Sequence, residues 1–479
     1  MGMDAAEIKQ MIASAVAEAT APLHARLAAQ DAEIARLKDE LARAKKGPHN
    51  SSKPGSSDFF KQAERDEPGA GGTDTSAKAQ AAPGKKKIGG QPGHKKHTRQ
   101  DFSEDQITHR KQHAISAEEA ERRGWKFVKW VTTYQVELPR DLIVTEHKRA
   151  IYFDTKRKRH VRAPFQDPCD AGILSPRMKA MVAWVHSVTH ASHESMKQFF
   201  EALWDFKLSD GLLAKAIRQV GESLEKADAE LIALLPTMLK LHIDETGHKR
   251  NGALLWCWIF VAEKFTVIRT GISRKAEVLT RFLGELFAGL IQSDYWGGYR
   301  SFKKTALNAR FQFCLAHLVR DLRFVAEHPD ERAATWGQGM LALFRTMIRA
   351  RRKSVERKGV VDGELVKTML VLADNPPDQR EAKNIAKRLR DHTESFTLFL
   401  EDKTADTTNN RAERGLRPTV LHRKATQGTR SEAGDRTHER LQTVVATCRQ
   451  QGISAFQFFV DSFCAHRRGT TMPSLVACS

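Results

Sequence analysis

Three acidic residues lie in short segments whose composition suits metal-assisted chemistry. Asp244 lies in the segment Leu-His-Ile-Asp-Glu-Thr-Gly, Asp294 in Gln-Ser-Asp-Tyr-Trp-Gly-Gly-Tyr, and Glu413 in Asn-Asn-Arg-Ala-Glu-Arg-Gly. Carboxylate oxygens are the ligands that hard divalent cations prefer. Two such ions about 4 Å apart can activate a water or hydroxyl and stabilise the leaving oxygen of a phosphodiester. The three acids therefore predict a site for phosphodiester chemistry.

The charge of the chain indicates which phosphodiester is involved. The 479 residues include 78 Lys and Arg against 58 Asp and Glu, a formal net charge of +20. Such an excess favours binding to a polyanion, because phosphate neutralisation releases counterions. The alternative is a basic protein without such a partner. Nucleic acid is the better interpretation, since the basic residues cluster beside the other motifs.

Hydrophobicity and cysteine usage exclude other classes of protein. The longest apolar run, 253–262, is too short to span a bilayer, and the N-terminus has no apolar signal region. Six cysteines are scattered without a Cys-x-x-Cys pair. This predicts a reduced, cytoplasmic protein without membrane association, disulfides or a cysteine-rich zinc site.

Residues 4–46 have the pattern of one long helix. Apolar residues recur every seven positions at Leu27, Ile34 and Leu41, with Leu23, Gln30 and Leu37 as the second row. This seam predicts a coiled-coil arm for self-association. The alternative is a helix that packs on its own protein. Pro22 is expected to kink or split the helix.

Residues 47–100 are poor in apolar groups and rich in Gly, Ser, Pro and Lys, which predicts a flexible basic linker. A solvated linker without DNA contacts is the alternative. The candidate phosphate-binding residues of this segment are Lys85, Lys86, Lys87, Lys95, Lys96 and Arg99.

Two smaller regions precede the acidic segments. Residues 101–170 predict a small β-rich module, with strand-like alternation around 126–136, 142–147 and 150–154. Residues 171–236 predict a helical region. Within it, Ser209 or Asp210 is placed to cap a helix that suits either a helix-turn-helix or ordinary helical packing.

Residues 237–425 predict an α/β catalytic core. The expected elements are strands at 239–244, 254–262 and 265–270, a helix at 276–290, and strands at 291–294 and 310–314. This β-β-β-α-β order is that of a ribonuclease-H-like core, in which the first and fourth strands are neighbours. Asp244 and Asp294, each at the end of its strand, would then meet at one metal site.

Glu413 follows a helical, basic insertion at about 318–400. Asn409 or Asn410 can cap the next helix and place Glu413 in its first turn. A simple capping-box acid is the alternative role for Glu413, and it is compatible with metal binding. Residues 426–479 predict a C-terminal helical tail.

Six segments together resemble a known family. They are Asn-Ser-Ser-Lys-Pro-Gly-Ser-Ser-Asp at 50–58, Gly-Gly-Gln-Pro-Gly-His at 89–94, His-Ile-Asp-Glu-Thr-Gly at 242–247, Ser-Asp-Tyr-Trp-Gly-Gly-Tyr at 293–299, Cys-Leu-Ala-His at 314–317 with Arg320, and Asn-Asn-Arg-Ala-Glu-Arg-Gly-Leu-Arg-Pro at 409–418. In this order they resemble the large transposase of the insertion sequence 66 group of bacterial mobile elements, a branch of the DDE transposases.

The resemblance implies two Mg²⁺ ions, with Mn²⁺ as a substitute, held by Asp244, Asp294 and Glu413. It implies DNA strand cleavage and strand transfer without a covalent protein–DNA intermediate. Glu245 is the rival of Asp244, and the family pattern favours Asp244. The implied partners are the element's terminal repeats, target DNA, a second copy of the chain or more, and small accessory proteins of the same element.

Several residues beside the acids are candidates for DNA contact. Cys314 and His317 have a spacing that suits zinc, but no second such pair is near, so we expect a structural role and predict no zinc. The alternative for the arginines is a solvated helix face. The candidate DNA-binding residues are His317, Arg320, Arg411, Arg414 and Arg417.

One departure from the family pattern concerns residues 101–165. Members of the family usually carry a cysteine-rich zinc module there, and this stretch has no cysteine. The module therefore either folds without metal or has decayed. This departure favours one alternative to an active transposase, a catalytically inactive DNA-binding protein derived from one. A second alternative, a metal-dependent nuclease without strand transfer, would share the same three acids.

Overall fold

The structure is a computed structural model that describes residues 5–44, 103–124 and 141–165 with short gaps, 172–357 and 363–476. The described residues fall into two compact units, one formed by 5–44 with 147–476 and the other by 103–146, and each is described by itself. The predicted basic linker, with its lysines, and the predicted strand at 126–136 lie outside the described residues.

The N-terminal helix α1, Ala5–Ala44, continues through Pro22, so of the two predicted effects of this proline the split is wrong. Proline removes one backbone hydrogen bond, but the carbonyl that loses its partner belongs to exposed Glu18 and can bond to solvent. The last turns contact the same chain: Asp39 lies 3.0 Å from His328 Nε2, and Ala42 is buried. The apolar seam of α1 remains about half exposed.

The region predicted as a β-rich module contains one hairpin among its described residues. The strands β1, Ile151–Asp154, and β2, Arg159–Arg162, pair antiparallel, and a short helix α2 spans Ala117–Arg122. The strand expected at 142–147 is wrong, because this stretch has no regular structure. Its Ile143 is 97% exposed, so the alternation of residue types there does not mark a buried face.

Four helices form the region before the sheet: α3, Pro176–Val188; α4, His193–Trp204; α5, Asp210–Ser223; and α6, Glu225–Leu234. Ser209 caps α5 by accepting the backbone N–H of Leu212 at 3.2 Å. The apolar face of α5, which includes Leu213 and Val220, is fully buried. The periodicity of α5 therefore reflects packing within the chain.

A five-stranded mixed sheet forms the centre of the larger unit. The strands are β3, Lys240–Arg250; β4, Ala253–Val261; β5, Thr266–Ile272; β6, Leu290–Ser293; and β7, Arg310–Phe313. Their order is β5-β4-β3-β6-β7. The first three strands are antiparallel, and β6 and β7 run parallel to β3.

Strand β3 does not end at Asp244 as predicted but continues to Arg250. The reason is the two-residue turn formed by Asn251 and Gly252, which have positive φ angles of 47° and 84°. An Asn-Gly pair adopts these angles readily and joins two antiparallel strands tightly. The pairing with β4 therefore extends to Arg250 opposite Ala253.

Helices cover the sheet and form the insertion. The remaining helices are α7, Glu277–Leu283; α8, Gly297–Thr305; α9, Leu315–Ala326; α10, Glu331–Arg357; α11, Glu364–Asp374; α12, Arg380–Asp391; α13, Thr393–Glu401; α14, Asn410–Thr426; α15, Glu432–Gln451; and α16, Ala455–Arg468. Helix α7 ends seven residues before the predicted end at 290, because Gly284 takes a positive φ of 76°. The predicted α/β class is confirmed.

Candidate functional site

The parallel pairing of β3 and β6 brings two of the predicted acids together. His242 on β3 pairs with Gln292 on β6. Asp244 and Asp294 each lie two residues further along the chain, so the register places them at the same level of the sheet. Asp294 follows the end of β6, whereas Asp244 lies midway along β3.

Glu413 reaches the same region from the first turn of α14, which packs on β3 and β4. Buried Asn409 fixes the start of this helix, since its amide donates to the carbonyl of Ile243 at 2.8 Å. Asn409 occupies the cap position, but its side chain bonds to β3 rather than to the helix. The sheet next to Asp244 thus determines where Glu413 lies.

The charges of the three acids interact. Burial raises the pKa of Asp244 well above its ordinary value, and the charges of Glu245, Asp294 and Glu413 raise it further. Burial and then the charge of Glu245 raise the pKa of Asp294 to about 6, although an N–H of Trp296, 2.9 Å from Oδ1, partly offsets this. A cation between these groups would relieve the repulsion among their ionised forms.

Glu245 has different surroundings from Asp244. It is only 5% exposed, and its Oε1 accepts two hydrogen bonds from Arg274, at 2.9 and 2.8 Å. Its Oε2 accepts the hydroxyl of Tyr299 at 2.7 Å. Asp244 is less buried, and its Oδ1 accepts the N–H of Glu245 at 2.9 Å. Protein donors therefore already occupy the Glu245 carboxylate, which leaves Asp244 as the better candidate for an external ligand.

Arg274 is a site residue that the sequence reasoning missed. Its guanidinium lies over the rings of Trp256 and Trp296, 4.3 and 4.8 Å from their centroids. Arg274 and Asp294 both line a cavity of about 280 Å³. No motif in the sequence marks Arg274, because its position depends on tryptophans from two different elements.

The predicted DNA-contact residues occupy different environments. Arg414 and Arg417 are exposed on α14, and His317 and Arg320 are partly exposed on α9. Arg411 donates to the carbonyl of Glu263 at 2.8 Å and so helps to anchor its helix. The candidates between Lys85 and Arg99 lie outside the described residues.

A histidine cluster beside a second cavity, of about 900 Å³, also escaped the sequence reasoning. His186 and His422 approach to 3.0 Å between their Nε2 atoms, and the rings of His422 and His438 are 4.6 Å apart. Burial lowers the pKa of His186 to about 4 and that of His438 to about 3. Neutral rings of this kind can pack α3, α14 and α15 together without charge repulsion.

The comparisons with known proteins place the chain in a family. No helix in the described part of the chain is long and apolar enough to cross a membrane. A family profile described as "Transposase IS66 family" matches residues 171–437, more than half of the chain. The match defines the class as transposases, and the chain belongs to the IS66 family. No curated protein matches the chain.

Proposed function

We propose that this chain is a DDE transposase that cleaves DNA and transfers strands at the ends of a bacterial insertion sequence. Asp244, Asp294 and Glu413 are the proposed catalytic residues and metal ligands. The observation that carries the proposal is the parallel pairing of β3 with β6, which aligns the first two acids. The strand order, with three antiparallel strands followed by two parallel ones, supports a ribonuclease-H-like core.

The residues of the site fit divalent magnesium. Hard oxygen ligands suit Mg²⁺ and its substitute Mn²⁺. The raised pKa values of Asp244 and Asp294 indicate carboxylates whose ionised forms lack enough positive charge nearby. Bound between them, two Mg²⁺ ions would stabilise negative charge on a reacting phosphate.

The chain's own basic residues would orient the DNA. Arg274 is held beside Asp294 in the cavity. Arg414 and Arg417 project from the helix that carries Glu413, at a spacing that places them on one face. These side chains are suited to contact the phosphates that flank the reacting bond.

The proposed partners are inferred from features outside the three acids, namely the net charge of the chain and helix α1. The net charge of +20 supports binding of terminal repeats and target DNA. The exposed seam of α1 supports a homodimer or a larger assembly, because two element ends must be joined. Small accessory proteins remain an expectation from the resemblance, and a cytoplasmic location remains an expectation from the cysteine usage.

The test is a Mg²⁺-dependent cleavage and strand-transfer assay on DNA that carries the element's own ends. Asp244→Asn, Asp294→Asn and Glu413→Gln are each expected to reduce cleavage to the level seen without metal, while DNA binding persists. Asp461→Asn removes an exposed carboxylate on α16 and serves as the matched control. Normal cleavage by any of the three variants would remove that residue from the proposed site.

The products distinguish the two alternatives from a transposase. Cleavage without joined products would indicate a nuclease. DNA binding without either product would indicate an inactive descendant of a transposase, for which the cysteine-free stretch at 101–165 would be the first region to study.

A further inference from the structure

Three potential metal ligands of different chemistry meet at the start of α9. Cys314 occupies the cap position of this helix, and His317 lies in its first turn. Glu413 comes from the first turn of α14. The ligand atoms of the three side chains all lie within 4.8 Å of one another, the only such group found among the described residues.

Two of these atoms are buried without a hydrogen-bond partner. They are His317 Nδ1 and Glu413 Oε1. The two atoms are 3.8 Å apart, which is too far for a direct hydrogen bond. Buried polar atoms are rarely left unpaired, and a cation in the gap between these two atoms would satisfy both of them.

We propose that Cys314, His317 and Glu413 bind one divalent transition-metal ion of the zinc class, at a site that shares Glu413 with the proposed magnesium site but does not include Asp244 or Asp294. The donors are Cys314 Sγ, His317 Nδ1 and a carboxylate oxygen of Glu413. Thiolate and imidazole select zinc-like ions, whereas magnesium prefers oxygen. This inference goes beyond the proposed cleavage chemistry and shares Glu413 with it.

The geometry suits such an ion. Zinc bonds of about 2.0–2.2 Å to nitrogen and oxygen place two tetrahedral ligands about 3.4 Å apart. The 3.8 Å between His317 and Glu413 is close to that separation. Three protein ligands leave a fourth position open, and Cys314 and His317 line the cavity of about 280 Å³ from which water or a phosphate oxygen can reach it.

The surroundings also hold the sulfur in place. The backbone N–H of Asn409 lies 3.2 Å from Cys314 Sγ and donates to it. The side chain of the same residue ties α14 to β3, so buried Asn409 positions the sulfur through its backbone and the helix that carries Glu413 through its side chain. Such contacts around a ligand orient it and support metal binding.

Cobalt binding tests the site without relying on activity. Full-length protein is treated with a chelator and then titrated with Co²⁺, and the thiolate-to-cobalt charge-transfer absorption is recorded. We expect one equivalent of Co²⁺ to produce this band and Zn²⁺ to displace it. Cys314→Ser should abolish the band, and His317→Gln and Glu413→Gln should weaken Co²⁺ binding at least tenfold.

Cys464→Ser is the matched control, because this partly buried cysteine lies on α16 and should leave the band unchanged. Persistence of the band in Cys314→Ser, or its absence in the unmodified protein, would overturn the proposal. Circular dichroism of each variant checks that the fold is intact. If Cys314→Ser does not fold, His317→Gln and Glu413→Gln decide the outcome.

Asp294→Asn separates this inference from the proposed function. This variant lacks a proposed magnesium ligand but keeps all three zinc-class ligands, so it should lose cleavage and retain the cobalt band. Retained cleavage would contradict the proposed function alone. Loss of the cobalt band in Asp294→Asn would contradict a transition-metal site that does not include Asp294.

Discussion

At the scale of single residues, the neighbouring carboxylates of Asp244 and Glu245 have different hydrogen-bond partners. Glu245 is enclosed by Arg274 and Tyr299, which satisfy both of its oxygens. Asp244 keeps a less buried carboxylate beside Asp294. The pKa values of Asp244 and Asp294 are raised, so their ionised forms make the folded protein less stable when no cation is present.

This electrostatic cost predicts a pH dependence of stability for metal-free protein. The pKa of Asp294 rises from 3.8 to about 6 on folding, so its stabilising contribution is present below 3.8 and is lost as the pH rises through 6. The shift corresponds to about 3 kcal/mol at most. Asp294→Asn should therefore gain about 1–3 kcal/mol of unfolding free energy relative to the unmodified protein between pH 4 and pH 8.

Urea unfolding at pH 4 and pH 8, in buffer that contains a chelator, measures the unfolding free energy of Asp294→Asn relative to that of the unmodified protein. Asp461→Asn, which changes an exposed carboxylate, should show the same difference from the unmodified protein at both pH values. An Asp294→Asn difference that does not grow with pH would contradict the predicted repulsion.

At the scale of elements, the positions of α9 and α14 depend on close contacts. Gly415 brings α14 against β4, since a Cβ there would lie 2.6 Å from Ile259 Cδ1. Gly337 on α10 faces the end of α9, and a Cβ there would lie 2.5 Å from the backbone nitrogen of Ala326. Backbone atoms cannot move aside as the end of a side chain can, so Gly337 is the stricter requirement.

Gly337→Ala is therefore expected to reduce the free energy of unfolding by about 1–3 kcal/mol, through overpacking of the contact between α9 and α10. Gly339→Ala, two residues later on the same helix, is the matched control because a Cβ there meets nothing within 4 Å. It should be neutral or stabilising by up to about 1 kcal/mol, since alanine favours helices over glycine. If Gly337→Ala and Gly339→Ala change the free energy of urea unfolding equally, the proposed close contact at Gly337 is refuted.

At the scale of the whole molecule, the seam of α1 is exposed, and the sequence at 84–99 carries a cluster of basic residues. Leu27 and Ile34 are 57% and 50% exposed, which is unusual for aliphatic residues that recur every seven positions. The last turns of α1 contact the rest of their unit through Asp39 and Ala42. The seam is thus free to associate with another copy.

Replacing Leu27 and Ile34 with Glu should convert an assembly of the protein to monomers, because charge in an a/d seam opposes helix pairing. Sedimentation velocity measures the result. The control is Ala32→Glu, which adds charge to the exposed face opposite the seam. A monomeric unmodified protein, or dissociation by the control alone, would argue against the coiled coil.

The basic segment makes a separate prediction about DNA binding. Replacing Lys85, Lys86 and Lys87 with Gln should weaken binding and reduce the slope of log affinity against log salt by up to about 3, since each lost phosphate contact removes about 0.9. The control replaces three exposed lysines that pair with glutamates of their own chain, namely Lys207, Lys226 and Lys367. An unchanged slope for the first variant would show that the segment is a linker.

The sequence alone was enough to predict several strands, one helix cap and the candidate metal ligands of this protein. Alternation located the strands, serine identified the cap of α5, and residue types marked Asp244, Asp294 and Glu413 as potential metal ligands. The prediction that β3 ends at Asp244 was wrong, because the tight turn at Asn251 and Gly252 lets β3 and β4 pair up to Arg250. The strand predicted at 142–147 was wrong because alternation alone does not bury a face.

Tertiary structure decided which distant residues meet. The register of β3 and β6 aligns Asp244 with Asp294, and the chain's return through α10–α13 brings Glu413 to Cys314 and His317. Local spacing showed only a Cys-x-x-His pair without a partner, so no zinc was predicted. The third donor became visible only in three dimensions, because packing of helices on a sheet, and not sequence proximity, determines which side chains share a site.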